Sequence, residues 1–360
     1  MRPATNIDRV TAFCDQYELG LPILMAPMAG ACPPALASAV GNAGGMGACG
    51  ALLMDGDEIN AWVSEVRGST NGAFQLNTWI PDPAPARDPA HEKAVREFLS
   101  NWGPEVPASE ADALQIDFAE QCDAMIKASP RVISSIMGLY PADVVERMKA
   151  EGIHWFANAT TVTEALQAEA AGADVIIAQG MEAGGHRGAF NADEASTALV
   201  GLFALLPAIV DAVKVPVVAT GGIADARHVA AAITLGASAV QVGTGLLRSP
   251  EAKLNKTWSD AIACAKPEDT MATKAFSGRL GRSIRTAFAQ SFAQGDTLAP
   301  APYPLQRNLT RLMRAEASKV SDIDRMQAWA GQSSAYARDK PAGEIVSELW
   351  NDAKALLPSS

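Results

Sequence analysis

Cysteine is scarce: five residues among 360 (Cys14, Cys32, Cys49, Cys122 and Cys264), odd in number, scattered and never spaced C-x-x-C. That excludes a disulfide framework and a cysteine-based zinc site. Positive charge is also short. Lys and Arg number 29 against 40 Asp and Glu, a net of −11. This excludes a general nucleic-acid binder, whose affinity comes from neutralising phosphates, and argues equally against an anionic membrane surface. The longest apolar stretch, Ala198 to Val210, contains Gly201 and Pro207 and falls short of the roughly 20 residues a membrane span needs. The leading MRPATNIDRVTAF lacks the apolar segment of a secretory signal. Histidines number only four, and no His, Cys, Asp and Glu grouping has metal-ligand spacing, so no metal is expected. There is no G-x-S-x-G for a serine hydrolase, and no G-x-G-x-x-G follows an early strand as a dinucleotide fold requires. What remains is 48% apolar and 19% charged, a composition that predicts a soluble, cytoplasmic globular protein with a sizeable core.

Short β-branched runs alternate with longer helix-like segments. Eight runs read as strands: Ile23–Met25, Gly45–Cys49, Ala73–Asn77, Val132–Met137, His154–Asn158, Asp174–Ala178, Pro216–Thr220 and Ala239–Gly243. Several are continuously apolar (DVIIA, PVVAT, SAVQV), which suits parallel strands covered on both faces. Eight βα units close a (β/α)8 TIM barrel; an open doubly wound sheet is the alternative within the α/β class. The expected organisation is a barrel over 1–247, a small lid or substrate-binding segment over 248–302, and C-terminal helices over 303–360 packing back on the barrel. The Pro-rich, charged stretch Ile80–Pro107 reads as a long connection followed by a helix.

In such barrels ligands bind on the loops that follow the strands. Strand seven ends in Thr220-Gly221-Gly222 and strand eight in Gln241-Val242-Gly243-Thr244-Gly245. Glycines there let backbone N–H groups approach a ligand, and a helix N-terminus near Asp225 would add positive charge, so the two loops predict a phosphate site. After strand six comes Gln179-Gly180-Met181-Glu182-Ala183-Gly184-Gly185-His186-Arg187-Gly188. Four glycines around one histidine fit neither helix nor strand; they predict a loop presenting an imidazole at the barrel mouth, where it can exchange a proton. Ala26-Pro27-Met28 after the first strand and Asn77 on the third offer backbone groups and an amide to a flat heterocycle. His154 reads as structural, His91 and His228 as solvated helix residues, and Cys49 as packing.

Taken in order, APMAG, QLNTW, AQGMEAGGHRG, ATGGIAD and VQVGTGLL resemble the nitronate monooxygenases, formerly 2-nitropropane dioxygenases, with a weaker echo in Tyr303-Pro304-Leu305 and Trp329-Ala330-Gly331-Gln332. The chain departs from the family where Gln75-Leu76-Asn77 replaces a frequent Gly-Val-Asn. The resemblance implies an FMN-dependent barrel that oxidises alkyl nitronates with O2 to a carbonyl compound and nitrite. It also implies FMN contacts at Ala26, Pro27, Met28, Asn77, Gln179, Gly184, Gly185, Gly221, Gly222, Gln241, Val242, Gly243 and Thr244. His186 matches the family's active-site histidine, which would hold the nitro oxygens and act as base towards a neutral nitroalkane. Two rivals stay open. One is a flavin-dependent NAD(P)H reductase on the same fold, acting on an enoyl-acyl-carrier-protein or a quinone. The other is a non-redox barrel acting on a sugar phosphate. Arg279, Arg282 and Arg285 either present charge over the mouth or form a solvated or salt-bridged helix face. The expected partners are the nitronate or nitroalkane and O2, with no nucleic acid or membrane; a homodimer is left open.

Overall fold

The runs DVIIA, PVVAT and SAVQV leave no polar face for water, so each must be covered on both sides. The computed structural model, which describes residues 5–113, 115–293 and 298–357, places all three in one parallel sheet. In chain order the strands are β1 (Ile23–Met25), β2 (Gly47–Gly50), β3 (Phe74–Trp79), β4 (Val132–Ile136), β5 (His154–Ala159), β6 (Val175–Gln179), β7 (Gly185–His186), β8 (Val217–Thr220), β9 (Ala239–Val242), β10 (Thr270–Thr273) and β11 (Gly281–Ile284). Eight of them pair in the order β1-β9-β8-β6-β5-β4-β3-β2. A parallel bridge between Leu24 and Met46 joins the two ends, with Met25 N–H donating to the Met46 carbonyl at 2.8 Å. The result is the (β/α)8 TIM barrel; the open sheet is excluded. Each predicted strand is present; the first keeps its predicted bounds and the others shift by one or two residues at one end or both.

Helices cover the outside because their starts are chemically marked. Asp55 and Glu58 form a reciprocal capping box at the helix Gly56–Ser69, and Thr161 caps Val162–Ala170. The last helix, Ala342–Leu356, buries Ile345, Val346, Leu349 and Trp350 in the main core.

A second apolar cluster lies beside the barrel. Val95 and Leu99 come from the helix Pro89–Leu99 in the β3–β4 connection, Phe276 and Phe288 from around β11, and Leu305, Leu309 and Met313 from the tail. None of these stretches could bury its apolar residues alone. A three-stranded antiparallel sheet, β10-β11-β7, links this cluster to the barrel. It also corrects one expectation: the glycine-histidine loop does contain a strand. Gly185 pairs with Arg282 and His186 with Gly281. Its partner lies far along the chain, so no local pattern announces it.

Candidate active site

At the C-terminal ends of the barrel strands lies a cavity of about 230 Å³. Ala26, Pro27, Met28, Asn77, Gln179, Gly184, Gly185, His186, Gly221, Gly222, Gln241, Gly243 and Thr244 all line it. Segments remote in sequence thus converge on one space. Val242 does not line it: the side chain is fully buried in the barrel core, where β9 pairs with β1.

The two glycine loops form one end. Gly221 and Gly222 have φ of 106° and 69°, a left-handed region that glycine enters without penalty. Among the described residues neither donates its N–H to a partner. Thr244 Oγ1 accepts the Gly331 N–H at 3.0 Å, which leaves its own proton to donate. The following helix, Ala226–Thr234, contributes less than expected. Its N-terminus is capped by the Asp225 carboxylate, held below the usual range chiefly by its hydrogen bond to Arg227. The anion-binding character therefore rests on loop amides rather than on that helix end.

His186 stands on another wall. Its ring lies between Trp79 and Trp329, with centroid distances of 4.6 and 4.8 Å. Nε2 is 2.7 Å from Ser277 Oγ. Ser277 is fully buried and also meets the Arg279 carbonyl at 3.1 Å. It has one hydroxyl proton, so whichever acceptor takes it sets the imidazole tautomer. Burial first, then Arg279, Arg307 and Arg314, push the His186 pKa down to about 3. The imidazole is therefore neutral at physiological pH.

Of the two readings for the arginines, charge over the mouth fails, and a salt bridge holds for Arg279 but on no helix face. Arg279 is fully buried on the Asp82 carboxylate, with Nε to Oδ2 at 2.8 Å, and donates to the Ala189 carbonyl at 2.9 Å. Arg282, in β11, donates to Met181 O at 3.0 Å and Thr270 Oγ1 at 3.1 Å, and Arg285 to Glu268 O at 2.9 Å. None of the three lines the cavity or lies on a helix face. Arg307 and Arg314 from the tail helices line it instead, and among the described residues no acidic side chain does. Arg314 donates to Thr310, Gln327 and the Arg307 carbonyl, and burial pushes it down to about 10. Sequence reasoning also missed Ser277 and Asn158. Asn158 is buried at the cavity wall, and its Nδ2 has no partner.

The other histidines are peripheral. His154 sits 3.9 Å from Asp174 and edge-on to Tyr17. His228 is half-buried rather than solvated: it packs edge-on against Tyr336, and Nδ1 accepts the Ala224 N–H at 3.4 Å. Cys49 is buried and all five thiols are free. Among the described residues no His, Cys, Asp and Glu group could hold a metal, and no helix is long and apolar enough to cross a membrane.

Known proteins share this architecture. The profile of the nitronate monooxygenase family matches residues 13–352. A probable nitronate monooxygenase of Staphylococcus aureus (strain Newman) is 36% identical over 358 residues, 98% of this chain and 99% of that protein. The crystal structure of nitroalkane oxidase from Streptomyces ansochromogenes superposes with a TM-score of 0.87 at 33% identity, covering 96% of this chain and 98% of the other. FabK from Thermotoga maritima gives 0.74 at 28% identity, covering 96% of each. The chain belongs to the nitronate monooxygenase family, and its enzymatic class is that of an oxidoreductase.

Proposed function

We propose that this enzyme oxidises an alkyl nitronate, with FMN as redox group and O2 as oxidant, to an aldehyde or ketone plus nitrite. The observation that carries the reading is a neutral imidazole fixed on the wall of a cavity that, among the described residues, has no acidic lining and whose other end is built of glycine loops. The residues fit the cofactor. Gly221 and Gly222 have N–H groups free for a phosphate, Thr244 has a hydroxyl proton, and the unpartnered Asn158 Nδ2 awaits an acceptor such as a ring carbonyl. When bound, the flavin would supply electron acceptance, which no side chain of the cavity offers.

The protein's own part is electrostatic and positional. Arg307 and Arg314 on the cavity lining favour an anion there. When the Ser277 hydroxyl donates to Nε2, the neutral His186 ring keeps its N–H on Nδ1 for a nitro oxygen; Trp79 and Trp329 flank the ring. The depressed basicity of the imidazole weakens the case for proton abstraction from a neutral nitroalkane, because a base works best near the operating pH. A nitronate has already lost that proton, so it is the favoured substrate.

The likeness to FabK supports a second reading, an NAD(P)H-dependent flavin reductase. Anaerobic absorption spectroscopy separates the two. The purified protein should be yellow, nitronate should bleach it, and nitrite should appear on admitting air. Rapid bleaching by NAD(P)H but not by nitronate would establish the reductase. No flavin absorbance after reconstitution with FMN would remove both.

A further inference from the structure

The loop that carries His186 is unusual in its support. Gly184, Gly185 and Gly188 surround the imidazole, and such a backbone has little conformational preference of its own. One edge is held by β11, through its pairing with β7 and the bond from Arg187 N–H to the Leu280 carbonyl at 2.9 Å. A two-residue strand is weak support by itself. The other edge is met by a side chain from the barrel. Gln179, at the end of β6 and only 6% exposed, donates from Nε2 to the His186 carbonyl at 3.1 Å. Its Oε1 accepts the Gly188 N–H at 2.8 Å. The amide orientation follows from these partners: reversed, it would set N–H against N–H and oxygen against oxygen.

We propose that Gln179 is a positioning residue for the reaction, which fixes the His186 imidazole by gripping the main chain at the histidine and two residues beyond it. The resemblance implied a cofactor contact; the loop takes one Nε2 proton and one Oε1 lone pair of the amide, and the second of each stays available to the cavity. The grip needs a donor and an acceptor on one short planar group. Glutamate matches the shape but only accepts, and methionine does neither. Arg187 reinforces the frame from below, donating to the carbonyls of Gln179, Thr160 and Ala198 at 2.6, 3.1 and 3.0 Å.

The inference rests on the proposed role of His186, and the test separates the two. Gln179→Met and Gln179→Glu are made in the FMN-loaded enzyme, each alone and combined with His186→Asn. Nitronate turnover is measured at saturating FMN, flavin affinity by fluorescence, and the imidazole titration by NMR. Gln179→Met should lower kcat by about tenfold or more, since small misplacements at a reacting centre are costly. It should leave the FMN Kd within about threefold and add nothing to the loss in the His186→Asn background, the non-additivity of residues acting as one unit. Gln179→Glu should lower kcat too and move the imidazole titration upward, because it sets a carboxylate beside it. A cofactor contact would instead raise the FMN Kd, recover kcat at saturation and add to His186→Asn; that result, or an unchanged kcat in both variants, overturns the proposal. Should Gln179→Met not fold, Gln179→Glu carries the same comparison. Wild-type turnover in His186→Asn alone would remove the role of the imidazole itself, and with it the reason for the grip.

Discussion

A single imidazole shows how far one residue's surroundings decide its use. His186 was legible in the sequence because glycines on both sides, just after a strand, leave a side chain little to do but face the barrel mouth. Its partners were not legible. Ser277, Trp329 and Arg314 lie far along the chain, and nothing in their local pattern separates them from packing or surface residues. Replacing His186 by Asn should leave flavin content intact. It should lower kcat/KM for a nitronate by about 10- to 100-fold, the range for losing a hydrogen bond to a charged group, as read by nitrite release. The depressed pKa also makes a stability statement. The unfolded chain binds the histidine proton near its ordinary pKa of 6.5, the folded chain only near 3. Below pH 6.5 the unfolded state therefore takes up more protons, and stability is lost as pH falls from there towards 3. Between pH 7 and pH 5 the wild-type Tm should drop more than that of His186→Asn. Equal drops would mean that the folded imidazole titrates normally.

Among the elements, the barrel strands were readable because an apolar run buried on both faces needs no knowledge of its neighbours. The short β7–β11 pairing was not, since its register is set by a partner brought in from beyond the barrel. The same contrast applies to the tail segment that crosses the loops after β6 and β9. A Cβ on Gly184 would stand 2.5 Å from Gly331 N and 2.6 Å from the Ala330 carbonyl carbon. Both are main-chain atoms and cannot rotate aside. Gly184→Ala should therefore push the tail off Thr244 Oγ1, to which Gly331 donates. We expect a cost of about 1–3 kcal/mol, the usual range for forced overpacking. It should appear as a lowered Tm together with faster loss of flavin on dilution. A lowered Tm without faster loss would uncouple the tail segment from the cofactor end.

Over the whole molecule, the question is what keeps the added cluster in register with the barrel. Apolar burial is non-directional, and the second cluster alone fixes no orientation. The pair between Asp82 and Arg279 does: Asp82 leaves the barrel in the β3–β4 connection, and Arg279 sits just before β11. Arg279 is 1% exposed, so its charge depends on this one carboxylate and on the Ala189 carbonyl. Removing one partner of such a pair strands a buried charge at a cost of about 3–5 kcal/mol, whereas replacing both by neutral groups of similar size is far milder. Asp82→Asn should thus lower the Tm strongly, and Asp82→Asn combined with Arg279→Met should recover most of the loss. The double variant should also raise the His186 titration point, because a nearby cation that depresses it is gone. If the double variant were as unstable as the single one, the pair would be acting through packing rather than charge, and the orientation of the cluster would rest on the β7–β11 pairing instead.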